Sequence, residues 1–137
     1  DCRTPLDNFR EAVRAGGESV QKLQAFFHTP EARTEALRQL GETYPQLILS
    51  SSLPGNLEIN APGATKGDAL LALCRALGLD PACAVAFGDG TNDMTMIRSA
   101  GIGVAMANAE PEVLAAADLI APSNQEDGVA QVLSRWF

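Results

Sequence analysis

A short, almost wholly apolar run, Ala82 to Phe87, passes without a break into Gly88-Asp89-Gly90-Thr91-Asn92-Asp93. No other stretch constrains the fold as strongly. A strand with no polar alternation predicts burial on both faces, the condition of a parallel sheet. Parallel strands need long crossovers, normally helical, so a chain with this strand must supply helices around it. The glycine-rich segment then lies at the strand's carboxyl end, where open α/β sheets gather their ligands.

The rest of the chain fits that demand. Thr65 reads as an N-cap, with Asp68 three residues on completing a capping box, for a helix that runs to about Leu77 and stops at Gly78. After the glycine-rich segment come a helical stretch to Ala100, a buried strand over Ile102–Met106, a helix over Pro111–Ala117, a short strand at Leu119-Ile120 and a last helix over Gln125–Trp136. Upstream the pattern differs. Leu6, Phe9 and Val13 suggest a short helix ended by Gly16-Gly17, and a strand is expected from Val20 to about His28. Thr29-Pro30-Glu31 opens a helix whose stripe Ala32, Ala36, Leu37 and Leu40 should be buried. Leu47–Leu49 is a strand, Pro54-Gly55 a turn, and Leu57, Ile59 and Ala61 alternate with Glu58 and Asn60 as in a half-buried strand. The Pro62-Gly63 break divides the two patterns. The expected organisation is a β-α-β-β unit within residues 1–61 and an α/β unit over 62–137.

Composition limits the function classes. Of 137 residues 46% are hydrophobic and 20% charged, enough apolar matter for a core. A net charge of −7 sets the chain against a phosphate backbone, so no nucleic-acid partner is expected. No apolar run reaches membrane-spanning length, and no membrane partner is expected. Cys2, Cys74 and Cys83 are odd in number and form no CxxC, which points to a reducing, cytoplasmic setting. Cys74 and Cys83 both read as small core residues.

The chemistry concentrates at 88–93. Asp89 and Asp93 lie four apart across a strand-to-helix turn, where two carboxylates can share a hard cation such as Mg²⁺. A bare G-D-x-x-x-D arises by chance about 0.03 times in a chain of this length. Taken alone, Asp89 is equally a turn residue and Asp93 a first-turn acid favoured by the helix dipole.

The whole string is more specific. GDGTND with Met96, then AGIGVAMANA (100–109), AAAD (115–118) and SNQEDGVAQVL (123–133), resembles the fourth motif and following segments of the haloacid dehalogenase (HAD) superfamily, in its Cof-type, sugar-phosphatase-like branch. GATKG (63–67) resembles that family's third motif, and the β-α-β-β stretch resembles the second half of its α/β cap. The resemblance implies a partial Rossmann-like parallel sheet with helices, preceded by half of an α+β cap domain. It implies a Mg²⁺-dependent phosphatase acting on a small phosphorylated metabolite through an aspartyl-phosphate intermediate. Carried onto this chain, Asp89 matches the carboxylate that binds Mg²⁺ directly, and Asp93 its partner, acting through water or by holding the lysine. Lys66 matches the cation that neutralises the nucleophile and the transferring phosphoryl group. Asn92 matches a position near phosphate or metal, and Asn108 is a further substrate-side candidate. Ala107 stands where the family commonly has glycine.

One departure matters. The family's nucleophile lies in DxDGT, and the only Asp-Gly-Thr here is 89–91, with Phe87 where the first aspartate would stand. The second motif also has no match. The expectation is a C-terminal portion of a longer hydrolase, starting at Asp1, that self-associates or pairs with its absent N-terminal segment along an open strand edge. The alternative is a non-catalytic HAD-like fragment or interaction module. A P-type cation pump carries a similar GDGxND, but the want of membrane spans and the SNQEDGVA tail set that reading aside. His28 reads as a loop or edge residue.

Overall fold

The computed structural model describes residues 5–17, 22–53 and 55–136. Cys2, Val20, Pro54 and the expectations attached to them lie outside these. The elements run α1 (Phe9–Gly16), β1 (Leu23–Phe26), α2 (Pro30–Thr43), β2 (Ile48–Ser50), β3 (Asn56–Asn60), α3 (Lys66–Leu77), β4 (Val85–Gly88), α4 (Met94–Ser99), β5 (Ile102–Met106), α5 (Pro111–Ala116), β6 (Leu119–Ala121) and α6 (Gly128–Leu133). They form two three-stranded sheets, β1-β3-β2 and β4-β5-β6.

The second sheet is parallel throughout and is the α/β unit read from the sequence. Its middle strand, β5, serves both faces by simple alternation. Ala105 packs with Ile97, Ala109 and Val113 beneath α4 and α5. Val104 and Met106 pack with Ala121 and Val132 on the α6 side. Ile97, Val104 and Val113 are almost wholly buried, each worth roughly 1.5–3 kcal/mol of apolar transfer. β4 departs from expectation: only Ala86 and Gly88 are buried, while Val85 and Phe87 are half-buried. Among the described residues β4 pairs with β5 alone, so it is an edge strand, and its Val85 and Phe87 pack, partly buried, against the cluster of Val104, Met106, Ala121 and Val132.

The first sheet is antiparallel, with β3 between β1 and β2. Here too burial differs from the alternation expected. Asn56, Leu57 and Glu58 are all buried, because β3 is central in the sheet and the 51–53 segment and Lys22 close over the Asn56 and Glu58 side chains with hydrogen bonds. Thr29 caps α2 as expected, its side chain accepting from the Ala32 amide. The helix runs past Gly41 to Thr43, yet none of its residues is buried, so the stripe Ala32, Ala36, Leu37 and Leu40 stays partly or wholly exposed. Two further expectations are corrected. Cys83 is exposed on a 3₁₀ turn, and only Cys74 belongs to the core. The C-terminal helix begins at Gly128 rather than Gln125, because Asp127 is left-handed (φ 53°) and separates it from a 3₁₀ turn over Asn124–Glu126. No helix among the described residues is long and apolar enough to cross a membrane.

Candidate active site

The site forms where β4 ends and the chain turns into α4. Gly88 closes the strand, a 3₁₀ turn spans Thr91–Asp93, and α4 follows directly. The tightness of this turn puts Asp93 back over the residues before it. A side chain at position 88 would come within 2.4 Å of the Asp93 Cβ, so only glycine fits there.

Asp93 is buried, with 5% exposure. A buried carboxylate must be fully paired, and this one is. Its Oδ2 accepts from the amides of Asp89 (3.1 Å) and Gly90 (3.2 Å). Its Oδ1 accepts from Lys66 Nζ. Asp93 therefore holds the glycine-rich loop with one oxygen and the lysine with the other.

Lys66 arrives from α3, 27 residues earlier in sequence. The capping box expected from the sequence is present: Thr65 and Asp68 exchange hydrogen bonds and set the first turn. These bonds hold the Asp68 carboxyl below its ordinary range. What brings Lys66 within reach of Asp93 is the residue after it. Gly67 is buried against α4, its amide donating to Thr95 Oγ1 at 3.1 Å. A Cβ at 67 would lie 2.6 Å from the Thr95 carbonyl oxygen. Sequence reasoning missed Gly67 and Thr95. The available signal was a glycine in a helical turn, where alanine is favoured by about 1 kcal/mol.

Asp89 differs from Asp93 in being exposed. Its backbone carbonyl accepts from the Glu110 amide at 2.9 Å, and its Oδ2 accepts from Asn108 Nδ2 at 3.4 Å. Asn108 in turn accepts from the Asn124 amide at 3.1 Å, which ties the loops after β5 and β6 to the end of β4. Asp89 Oδ1 has no hydrogen-bond partner among the described residues. Asn92 is half-buried and lines, with Lys66, a cavity of about 260 Å³ between the turn and the first sheet. All five residues singled out from the sequence thus gather at the carboxyl end of the parallel sheet. His28 is exposed at the end of β1.

Oxygen donors of this kind suit a hard cation, and Asp89 has an oxygen to spare. Both Asp93 oxygens are engaged, and the described residues contain no cluster of three acidic, histidine or cysteine side chains able to enclose a metal. The donor set fits Mg²⁺ as a partial site: one direct carboxylate, with the remaining positions left to water, phosphate or another segment.

Residues 4–133 match a protein-family model for haloacid dehalogenase-like hydrolases. The chain belongs to that family. Among curated relatives of this HAD-like chain, a 5-amino-6-(5-phospho-D-ribitylamino)uracil phosphatase of Bacillus subtilis is 41% identical over 106 residues, 77% of this chain and 42% of the relative. A phosphoglycolate phosphatase of Methanoculleus marisnigri is 38% identical over 81 residues, 59% of this chain and 35% of the relative. Among solved structures, a haloacid dehalogenase-like hydrolase from B. subtilis superposes with a TM-score of 0.79 at 33% identity, covering 85% of this chain and 41% of that one. The subclass IIB sugar phosphatase BT4131 gives 0.76 at 28% identity, covering 85% and 43%. The HAD-like chain thus spans about two-fifths of the length of these relatives.

Proposed function

We propose that this HAD-like chain supplies the metal-holding and charge-neutralising half of a phosphatase site for small phosphorylated metabolites. The observation that carries the reading is the buried Asp93, with one oxygen on Lys66 and the other on the Asp89 and Gly90 amides, at the carboxyl end of a parallel strand.

Each residue then has a task. Asp89, exposed and with an oxygen to spare, holds Mg²⁺ directly, and Asp93 bears on it through water. Bound Mg²⁺ would supply charge neutralisation on the phosphoryl oxygens. Lys66, kept at one place by Asp93, offers its remaining N–H donors to a phosphoryl oxygen. Asn92 donates from the cavity side, and Asn108 orients Asp89. Phosphoryl transfer asks mainly for such positioning and electrostatic stabilisation. The nucleophilic aspartate comes from a segment other than these 137 residues, because Phe87 stands where DxDGT would place it. That segment pairs with the open edge of β4. A second copy of the chain is the other occupant considered for the same edge. Residues 1–61 act as part of a cap and 62–137 as part of the catalytic core. The protein works in the reducing cytoplasm, consistent with free Cys74 and Cys83.

The test is calorimetric binding of orthophosphate to the purified chain with and without Mg²⁺. Mg²⁺-dependent binding that weakens at least about tenfold in Asp89→Asn and in Lys66→Ala is expected. The chain alone should not hydrolyse p-nitrophenyl phosphate. Phosphate binding indifferent to Mg²⁺ and to both substitutions would refute the reading and leave the non-catalytic interaction module. A phosphoenzyme on these 137 residues would refute the placement of the nucleophile.

A further inference from the structure

Lys66 is gripped at two points by one short stretch of chain. Its tip is held by Asp93, whose Oδ1 accepts from Nζ. Its base is held through the next residue in α3, Gly67, whose amide donates to Thr95 Oγ1 at 3.1 Å. Asp93 and Thr95 stand on either side of Met94, where the 3₁₀ turn passes into α4.

The hydrogen bond at the base meets a requirement of α3 itself. The first amides of a helix have no acceptor within the helix. Thr65 Oγ1 accepts from the Asp68 amide at 3.1 Å, and the Thr65 carbonyl accepts from the Ala69 amide at 3.0 Å. Neither serves Gly67, whose acceptor comes from 28 residues away. Gly67 is buried, so its amide stays paired only while α3 lies against α4. The approach is close enough that a Cβ at 67 would lie 2.6 Å from the Thr95 carbonyl oxygen. Thr95 therefore meets Gly67 with both its hydroxyl and its backbone, and fixes where the first turn of α3 sits.

The two grips do different things. Asp93 locates the ammonium but does not aim it. The three N–H bonds of a lysine lie on a cone about the Cε–Nζ axis, and that axis follows the stem back to the backbone. The stem is a flexible four-carbon chain, here 50% exposed, so its course depends on where α3 places the Lys66 Cα. With one N–H on Asp93, the direction of the other two is set from the base.

We infer that Thr95 is a positioning residue for the phosphate-binding lysine: its hydroxyl, through the Gly67 amide, aims the free N–H bonds of Lys66 into the cavity that Lys66, Asn92 and Thr95 line. The inference rests on the phosphatase reading above. It divides the site into two arms that meet at Asp93. The metal arm runs through Asp89 and the loops after β5 and β6. The lysine arm runs through Thr95, Gly67 and α3. A change at Thr95 reaches phosphate without reaching Mg²⁺.

The test is calorimetry on the purified chain, with orthophosphate and Mg²⁺ as separate probes, together with hydrogen exchange at the Gly67 amide by NMR. Thr95→Val keeps the shape and removes the acceptor, and Thr95→Ala removes it without a branched side chain. In both, orthophosphate in Mg²⁺ should bind about tenfold more weakly, as for one misdirected charge-assisted hydrogen bond. Mg²⁺ alone should bind within about twofold of wild type, as for an independent site. Exchange at Gly67 should quicken, and Thr95→Ser should restore all three readouts. The deciding comparison is made in the Lys66→Ala background. There Thr95→Val should cost no further phosphate affinity, since the lysine it aims is gone. Full phosphate affinity in Thr95→Val and Thr95→Ala overturns the inference. So does an equal loss in the Lys66→Ala background, or a parallel loss of Mg²⁺ and phosphate binding. In each of these cases wild type still binds orthophosphate with Mg²⁺, and the phosphatase reading stands. Wild type without Mg²⁺-dependent orthophosphate binding overturns that reading, and the inference with it.

Discussion

Replacing Asp93 by asparagine tests whether this one side chain unites the site. The substitution keeps the shape and removes the charge. One oxygen can still accept from the Asp89 and Gly90 amides, as Oδ2 does now. The other terminal atom then becomes an NH₂ facing the Lys66 ammonium, donor against donor. What is lost is a charge-assisted hydrogen bond, roughly 1.5–3 kcal/mol. The Lys66 side chain is 50% exposed and regains water, which draws the figure toward the lower end. The expected loss is about 2 kcal/mol, or roughly 6–10 °C in Tm for a chain of this size. Urea unfolding should show the midpoint falling at constant slope. Lys66→Met is the partner variant, and the double variant should be less destabilised than the two single losses combined by about 1 kcal/mol. Asp93→Asn within about 0.5 kcal/mol of wild type, or strict additivity in the cycle, would refute the coupling.

Three other outcomes follow from the same structure. Gly67→Ala should cost about 2 kcal/mol in urea unfolding, because its Cβ would meet the Thr95 carbonyl at 2.6 Å and force α3 off α4. Thr65→Ala should cost about 1 kcal/mol by removing the α3 N-cap, read from the same unfolding curves. Glu58 should contribute to acid sensitivity. Its folded pKa lies below the ordinary 4.5, so the unfolded chain takes up a proton first. The stability it adds is complete above that value and lost as pH falls through the lower folded value. Wild type should exceed Glu58→Gln in stability at neutral pH, and the gap should close in acid. A gap independent of pH would count against it.

Much of the parallel unit was legible in the sequence because its signals are local. The capping box at Thr65 and Asp68, the stop at Gly78 and the glycine-rich turn after an apolar strand each specify backbone geometry within a few residues. Asp89, Asp93 and Lys66 were recognisable from motif and spacing. Burial was less legible, since it depends on what lies across space. The apolar run at β4 looks doubly covered in sequence, yet it is an edge strand with Val85 and Phe87 half-exposed. The α2 stripe looks like a core face, yet none of it is buried. Glu58 looks like the wet side of an amphipathic strand, yet it is buried beside Lys22.

Local chemistry in the chain therefore sufficed for where helices start and stop, for the α/β class and for which carboxylates stand at the end of β4. Such features depend on neighbours a few bonds apart. Tertiary structure alone decided that position 67 must stay glycine against the Thr95 carbonyl, that Asp93 would be buried with its second oxygen on the Asp89 and Gly90 amides, and that Glu58 of the first sheet would line the same cavity as Lys66. Those outcomes depend on how close two helices and two sheets approach, distances set by packing between residues tens of positions apart.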